Sequence, residues 1–190
     1  MYWMPKFDFV KFLEYNKTFR ITTFFTVPPI YLLIAKSPLV TDQFKTLVHA
    51  ITGAAPMGAE LMKLAEGKLG CNISQTWGLS ETTGSVTAMK WDEHDETGSV
   101  SPLLPNVRMR VVDDQERDVS EGEEGEFVMR GPMVTRGYWD NEEANRGSFM
   151  VDGERRRWFK TGDVGVVRGG RFYVVDRKKV SIEKDEEGVC

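Results

Sequence analysis

The sequence predicts an α/β fold followed by a β-rich part, and a change in residue pattern supports this division. Over residues 1–94, amphipathic helical segments alternate with short runs of β-branched and aromatic residues. Over residues 95–175, short strand-like runs are separated by turns rich in Gly, Asp and Glu. Alternating helices and strands favour a parallel or mixed sheet. We therefore expect an α/β subdomain at 1–94, a β subdomain at 95–175 and a segment of different character at 176–190.

The first part contains two predicted helices, at 5–15 and 58–69. Phe9, Phe12 and Leu13 share one face of the first helix, and Gly70 closes the second. Predicted strands cover residues 21–27, 46–51 and 72–76. Ligands bind at the carboxyl ends of strands in such sheets. The loop that begins at Thr52 and the loop that follows Thr76 are therefore expected at the binding edge.

The second part is predicted to be all-β. Its strands are expected at 107–112, 126–130, 163–167 and 171–175. The Arg168-Gly169-Gly170 segment joins the last two as a predicted hairpin. The acidic run at 113–126 is interpreted as a solvated hairpin tip rather than a binding site.

Composition excludes several classes of function. The chain has 190 residues and a net charge of −4, with both signs scattered, which gives no footprint for nucleic acid. No apolar run reaches the length of about 20 residues that spans a bilayer, and the start lacks a secretory pattern. Cys71 and Cys190 are too few for a disulfide framework or zinc site. His49 and His94 lack ligand-spaced partners. We expect an intracellular protein, cytoplasmic or peroxisomal.

Residues 75–85, QTWGLSETTGS, carry the strongest chemical signal. Trp77 offers a flat face for a purine, and Gly78 lets backbone approach a ligand. Ser80 can donate to a phosphate oxygen, and Glu81 can hold a hard cation such as Mg²⁺. An aromatic ring, a phosphate donor and a metal carboxylate together predict a nucleotide site.

Other motifs occur around this stretch in a fixed order. They are VPPI at 27–30, TGAAPMG at 52–58, GEFVMRGPMVTRGYW at 125–139, WFKTGDVG at 158–165 and VVDRKK at 174–179. The series resembles the adenylate-forming (AMP-binding) superfamily, and most of all its 4-coumarate–CoA ligase-like acyl-CoA ligases. The resemblance extends from about the first residue to about Lys179. It implies part of the N-terminal domain of that superfamily: an α/β layer and a small distorted β-barrel, without the mobile C-terminal domain.

The resemblance implies a two-step reaction with ATP, Mg²⁺ and coenzyme A. A carboxylic acid and ATP give an acyl-adenylate, and the coenzyme A thiol then displaces AMP. Small residues in the TGAAP loop would lie along adenine: Gly53, Ala54 and Ala55. The segment Gln75, Thr76, Trp77 and Gly78 would complete the adenine cradle. Ser80 and Glu81 would act at the phosphates, with Glu81 as the metal ligand.

Further roles follow from the same resemblance. Asp163 would grip the two ribose hydroxyls, Arg177 would face ribose and phosphate, and Lys179 would be the hinge. The floor of the acyl pocket would include Gly84, Ser85 and Val86. Some of these residues also have a purely structural interpretation: Gly53, Ala54 and Ala55 as a tight strand-to-helix turn, Trp77 as a core aromatic, Glu81 as a helix-start acid and Asp163 as a turn residue.

Three departures from the family pattern affect the expected activity. The Gly-, Ser- and Thr-rich phosphate loop is missing, the catalytic lysine of the C-terminal domain is missing, and Glu183 stands where the family has a further lysine. We therefore expect an acyl-CoA ligase fragment that is inactive alone. The alternatives are a peptide-synthetase adenylation domain, a luciferase-like oxidase, and a non-catalytic relic that binds AMP weakly or docks on a relative.

Overall fold

The computed structural model describes residues 1–178, which form two units, one ending at Pro105 and one beginning at Asn106. The predicted boundary lay earlier, after residue 94. The segment up to Pro105 belongs with the first unit because Thr87 and Leu103 form an antiparallel bridge and the Gln75 side chain donates to the Gly98 carbonyl. Lys179, the predicted hinge, and the tail at 180–190 lie outside the described residues.

The first unit is built on a parallel three-stranded sheet with strand order β1-β2-β3, as the alternation of helices and strands predicted. Its strands are β1 (Thr23–Thr26), β2 (His49–Thr52) and β3 (Asn72–Gln75), and its helices are α1 (Phe9–Thr18), α2 (Pro28–Lys36) and α3 (Ala59–Leu69). A hairpin of β4 (Gly78–Leu79) and β5 (Gly84–Ser85) follows β3, with a 3-10 turn at Ser80–Thr82 between its strands.

Helix α2 was not predicted; the sequence analysis placed a strand at 21–27, directly before the two prolines, and no helix after it. Pro28 and Pro29 instead occupy the first turn of the helix, where the missing N–H groups have no intrahelical partner to lose. Helix α1 also begins later than predicted, since Asp8 caps it by accepting a hydrogen bond from the Lys11 amide at 2.9 Å.

The core of the first unit lies between the sheet and the helices. Tyr31 of α2 is fully buried and donates its hydroxyl to the Ile51 carbonyl at 2.8 Å, which ties the helix to the central strand. The buried apolar residues of this cluster include Leu13, Tyr31, Ile34, Ala50, Met62, Ala65, Leu69 and Ile73. This packing holds the carboxyl ends of β2 and β3 side by side.

The second unit is an antiparallel sheet of five described strands. They are β6 (Arg108–Val112), β7 (Glu124–Arg130), β8 (Phe149–Val151), β9 (Arg157–Arg168) and β10 (Arg171–Arg177). Their order is β10-β9-β7-β6, and β8 pairs with β9. This order is open, and closure into a barrel stays a prediction. The all-β prediction was wrong at α4 (Glu142–Ser148), which Asn141 caps by accepting from the Ala144 amide at 3.0 Å.

The predicted hairpin between the last two strands is confirmed. Gly169 and Gly170 both have positive φ, +56° and +72°, which suits the two-residue turn that joins β9 to β10. β9 is longer than the predicted strand at 163–167. Most of the acidic run at 113–126 is exposed, as expected of a hairpin tip. The interpretation was wrong for Glu126, which lies within β7 and is buried. Within residues 1–178, no helix combines the length and apolar character needed to cross a membrane.

Candidate functional site

The loop after β2 combines a packed glycine with a strained alanine. Gly53 is buried, and a Cβ there would lie 3.1 Å from both Phe25 Cζ and Thr76 Cγ2. Ala54 has φ +66°, a left-handed conformation that costs an L-residue about 1–2 kcal/mol. Ala54 and Ala55 are exposed. The loop therefore exposes two small side chains to solvent, while its glycine packs inward. Contact of this loop with adenine stays a prediction.

Gln75 is a scaffold residue in this structure, although its segment was predicted to bind nucleotide. The side chain is buried, and its Oε1 accepts from the Met57 amide at 2.9 Å. Its Nε2 donates to the carbonyls of Met57 at 3.1 Å and Gly98 at 3.0 Å. These bonds use both donor protons and one acceptor site. Gln75 thus positions the loop that follows β2 through its side chain.

Thr76 and Trp77 are held by Thr87, a residue that the sequence analysis did not single out. The Thr76 hydroxyl donates to the Thr87 carbonyl at 2.6 Å, and the Trp77 amide donates to the Thr87 hydroxyl at 2.8 Å. Trp77 is only 9% exposed. This burial fits the core role that the sequence also allowed, and stacking of its indole on adenine remains a prediction.

The structure gives a steric reason for glycine at position 78. A Cβ at this position would overlap the Gly84 carbonyl and lie 2.7 Å from the Ser85 Cα. The two strands of the β4–β5 hairpin approach so closely that no side chain fits between them. Close approach of backbone to backbone therefore requires glycine here, and the predicted approach of a ligand to Gly78 stays a prediction.

Ser80 and Glu81 lie on the 3-10 turn inside this hairpin. Buried Thr82 anchors the turn, since its hydroxyl accepts from the Leu79 amide at 2.9 Å and donates to the Gly84 carbonyl at 2.8 Å. Ser80 is exposed and Glu81 is half-buried. Nothing in the sequence around Thr82 indicated that this residue would anchor the turn.

Glu81, the predicted metal ligand, belongs to no cluster of three metal-binding side chains in the described chain. Among residues 1–178 no group of three His, Cys, Asp or Glu could hold a metal ion. Mg²⁺ commonly takes one or two carboxylates, waters and phosphate oxygens of a bound nucleotide, so one carboxylate on an anchored turn suits that mode. Glu81 would be the protein ligand.

The residues predicted for the acyl pocket differ in exposure. Gly84 and Ser85, which form β5, are exposed, whereas Val86 is fully buried. Val86 pairs through its main chain, accepting from the Leu104 amide at 2.8 Å and donating to the Trp77 carbonyl at 2.8 Å. Val86 therefore contributes packing and backbone pairing beneath the hairpin.

In the second unit, Asp163 and Arg177 face each other across β9 and β10. They are direct partners in the strand register, and Arg177 Nε lies 3.6 Å from Asp163 Oδ1. Asp163 is only 7% exposed, whereas the Arg177 side chain is 70% exposed. The two residues predicted to hold ribose and phosphate are thus brought together, with a shielded carboxylate beside a cation that can reach solvent.

Three residues that the sequence analysis missed support this pair. The Thr161 hydroxyl donates to the Phe127 carbonyl at 2.7 Å and accepts from the Asp163 amide at 3.1 Å. Buried Glu126 accepts from the Gly162 amide at 3.0 Å, and the Lys178 amide donates to the Gly162 carbonyl at 2.7 Å. The GEF and DRKK motifs contain Glu126 and Lys178, but spacing alone does not show that they meet.

Comparison with known proteins identifies relatives along almost the whole chain. The AMP-binding enzyme family matches residues 1–139. A curated protein of Emericella nidulans named "Putative acyl-coenzyme A synthetase" is 52% identical over 96% of this chain, and the acyl-CoA synthetase ACTT5 of Alternaria alternata is 35% identical over 95%. The chain spans about a third of the length of these relatives, 32% of each.

Solved structures show the same fold. The ATP-bound MatB of Rhodopseudomonas palustris matches with a TM-score of 0.82 and 29% sequence identity, covering 93% of this chain and 34% of that one. A long-chain-fatty-acid–CoA ligase from Archaeoglobus fulgidus matches with a TM-score of 0.78 and 28% identity, over 93% of this chain and 38% of that one. The likeness covers both described units.

Proposed function

This chain belongs to the AMP-binding enzyme family, and from that membership we propose that it carries part of the nucleotide site of an ATP-dependent acyl-CoA ligase. Its relatives are named acyl-CoA synthetases and 4-coumarate–CoA ligases. These names support the hypothesis of an acid–thiol ligase over the hypotheses of a peptide-synthetase adenylation domain or a luciferase-like oxidase. The proposed substrates are a carboxylic acid, ATP and coenzyme A. Because the chain spans about a third of the length of those relatives, the complete reaction is proposed only for a protein of their full length.

The observation that carries the proposal is the Asp163–Arg177 pair. A carboxylate can accept from two ribose hydroxyls at once, which fixes the orientation of the nucleoside as well as binding it. The Arg177 guanidinium, 3.6 Å away and largely exposed, can reach a neighbouring phosphate oxygen while it balances the Asp163 charge. We propose that Asp163 binds ribose and that Arg177 binds the 5′ side of the nucleotide.

The first unit would supply contacts for the base and the phosphates. We propose that the exposed Ala54-Ala55 backbone borders adenine, with Trp77 beneath it, and that Ser80 donates to a phosphate oxygen. A bound Mg²⁺, held by Glu81, would neutralise charge that spreads over the phosphates as the carboxylate is converted into an anhydride of AMP. These residues lie on loops anchored by Gln75, Thr82 and Thr87, which limits their movement.

The proposed property of the 190-residue chain itself is AMP binding with little or no turnover. Titration calorimetry with AMP on the whole chain tests it, supported by the shift of the thermal midpoint at millimolar AMP. The expected result is saturable binding that Asp163→Asn weakens about 10-fold or more, in line with about 1.5–3 kcal/mol for hydrogen bonds to a charged group. Adenylation is checked separately by pyrophosphate exchange with a mixture of carboxylic acids.

The matched control is Asp118→Asn, which removes an exposed carboxylate that lies 2.6 Å from Arg110 Nε, in the segment between β6 and β7 of the same unit. It should bind AMP like the unaltered chain. No heat of binding and an unchanged thermal midpoint at millimolar AMP would contradict the proposal. Equal losses in both variants would show that the effect of Asp163→Asn is not specific to the nucleotide site. Measurable pyrophosphate exchange would contradict the expected lack of turnover.

A further inference from the structure

Glu126 is a buried carboxylate beneath the turn that carries Asp163, and we propose that Glu126 and Lys178 together position the Asp163–Arg177 pair. This inference rests on the proposed nucleotide site and assigns to it two positioning residues. Glu126 is 4% exposed, so its charge must be balanced within the protein. The contacts of its two carboxylate oxygens show how this happens.

The turn that carries Asp163 bulges out of β9. Glu126 pairs with Val164 and Val128 pairs with Lys160, so one residue of β7 faces three of β9. Gly162, in the middle of the bulge, has φ +74°. A bulge leaves main-chain groups without the hydrogen-bond partners of a regular sheet, and such groups need other partners where they are buried. Glu126 Oε1 is such a partner, because it accepts a hydrogen bond from the Gly162 amide at 3.0 Å.

Lys178 completes a closed arrangement, which we call the Glu126–Gly162–Lys178 ring. Its amide donates to the Gly162 carbonyl at 2.7 Å, and its Nζ lies 3.1 Å from Glu126 Oε2. Both main-chain groups of Gly162 are therefore bound by the two residues that also bind each other. The ring holds both main-chain groups of Gly162 and carries one charge of each sign, on Glu126 and on Lys178.

The ring is placed where it can set the geometry of the pair. Asp163 directly follows Gly162, and Arg177 directly precedes Lys178. Fixing Gly162 and Lys178 against each other therefore fixes the backbone of Asp163 and Arg177, which face each other at 3.6 Å. The Arg177 side chain is largely exposed, so the ring acts on Arg177 through its backbone.

The lysine is held in its charged form. A hydrogen bond from Lys178 Nζ to Asp114 Oδ1, at 2.8 Å, raises the pKa of Lys178, and the bond to Glu126 raises it further despite partial burial. Lys178 therefore keeps its positive charge at neutral pH. Asp114 lies in the exposed segment between β6 and β7, so Lys178 also ties that segment to the end of β10.

Three variants of the whole chain test the inference. Glu126→Gln can still accept from the Gly162 amide through its oxygen but turns an amide N–H₂ toward Lys178, and Lys178→Met removes the cation. Lys178→Arg keeps the charge. Glu116→Gln is the matched control because Glu116 Oε1 also lies 3.1 Å from a lysine, Lys160, but contacts no part of the turn carrying Asp163 in the described contacts. Amide chemical shifts by NMR and AMP affinity by calorimetry are measured for each variant.

Glu126→Gln and Lys178→Met should each lower AMP affinity about 10-fold, and the double variant should lose no more than either one, because both break the same ring. Lys178→Arg should restore affinity to within about 3-fold, a rescue that a role in folding alone does not require. The amides of Gly162 and Asp163 should shift in the two disrupting variants. Glu116→Gln should change neither measurement.

Two results would overturn the inference. The first is that Glu126→Gln and Lys178→Met both fold and bind AMP with unchanged affinity. The second is that the losses of AMP affinity add up in the double variant and that Lys178→Arg also fails to keep the affinity of the unaltered chain. If the unaltered chain binds no AMP, the proposed function of this chain fails, and amide chemical shifts alone test whether the ring positions Asp163 and Arg177. In that case, unshifted Asp163 and Arg177 amides in Lys178→Met would overturn the positioning role separately, and shifts in both would support it.

Discussion

Arg177 lies opposite Asp163 because Val175 is an extra residue in β10. Val174 pairs with Gly165 on one side of this irregularity, and Asp176 pairs with Val164 on the other. If the first register continued, Asp176 would face Asp163 instead. The bulge therefore replaces two opposed carboxylates by an ion pair, with Arg177 Nε 3.6 Å from Asp163 Oδ1.

Deletion of Val175 should abolish AMP binding and destabilise the second unit. The deletion restores the continuous register and places Asp176 opposite Asp163, where like charges repel, at a cost of up to about 1 kcal/mol from the pair alone. Val175→Ala is the control, because it keeps the bulge and removes only a half-exposed side chain. Calorimetry with AMP and urea unfolding check both. AMP affinity retained in the deletion variant would show that the register is not what aligns the pair.

The Asp163–Arg177 contact marks the limit of what the sequence could predict. The Arg168-Gly169-Gly170 segment predicted the hairpin, and the family resemblance gave Asp163 and Arg177 their expected roles one by one, without predicting that they face each other. Their alignment depends on one bulged residue, and no glycine or other local signal in β10 marks Val175. The contact is a property of strand pairing, which the sequence pattern does not encode position by position.

Other parts of the prediction failed for identifiable reasons. The proline pair at the start of α2 fits both the end of a strand and the first turn of a helix, and only the packing of Tyr31 against the sheet decides between them. The expected role of Gln75 in the adenine cradle stays a prediction. Its side chain is hydrogen-bonded to Met57 and Gly98, which are distant in sequence, so the sequence pattern did not reveal its structural role. Helix alternation and the parallel sheet, in contrast, followed from local pattern and were confirmed.

Gly78→Ala should destabilise the first unit strongly. The added methyl group would overlap the Gly84 carbonyl, so the β4–β5 hairpin must open, and we expect a loss of about 3 kcal/mol or more in the free energy of unfolding. Gly67→Ala is the control, since Gly67 lies within α3 with no atom near its Cβ position and should gain about 0.5–1 kcal/mol. Urea unfolding measures both. A small effect of Gly78→Ala would contradict the backbone contact on which the argument rests.

Thr52→Val should leave the protein as stable or make it slightly more stable. The Thr52 side chain is fully buried, and its Oγ1 has no hydrogen-bond partner in the described part of the chain, so replacing the hydroxyl by a methyl group of similar shape removes an unsatisfied polar atom. We expect a gain of about 0.5–1 kcal/mol.

Thr87→Val is the matched comparison for Thr52→Val. Thr87 is equally buried, but its hydroxyl accepts from the Trp77 amide at 2.8 Å. Its replacement should cost about 1–3 kcal/mol, since the amide is left unsatisfied. Denaturant midpoints of the two variants, measured side by side, give the sign of each change. Equal destabilisation by both would indicate that Thr52 has a partner, such as a bound water.

The stability of the first unit should fall as the pH drops below the ordinary histidine range. His49 is 7% exposed, its Nε2 lies 2.7 Å from Ser74 Oγ, and burial lowers the pKa of His49 below its usual value of about 6.5. Between the lowered pKa and about 6.5, the unfolded chain binds more protons than the folded one. The free energy of unfolding therefore rises with pH across that window, by at most about 1.4 kcal/mol per pH unit, and His49 contributes no further change above it.

Urea unfolding of the unaltered chain and of His49→Gln from about pH 5 to pH 8 isolates this contribution, because the glutamine variant should lose that part of the slope. His94→Gln leaves His49 in place and should keep it. The same slope in His49→Gln as in the unaltered chain would assign the pH dependence to other groups, because only a histidine buried in its neutral form produces the difference.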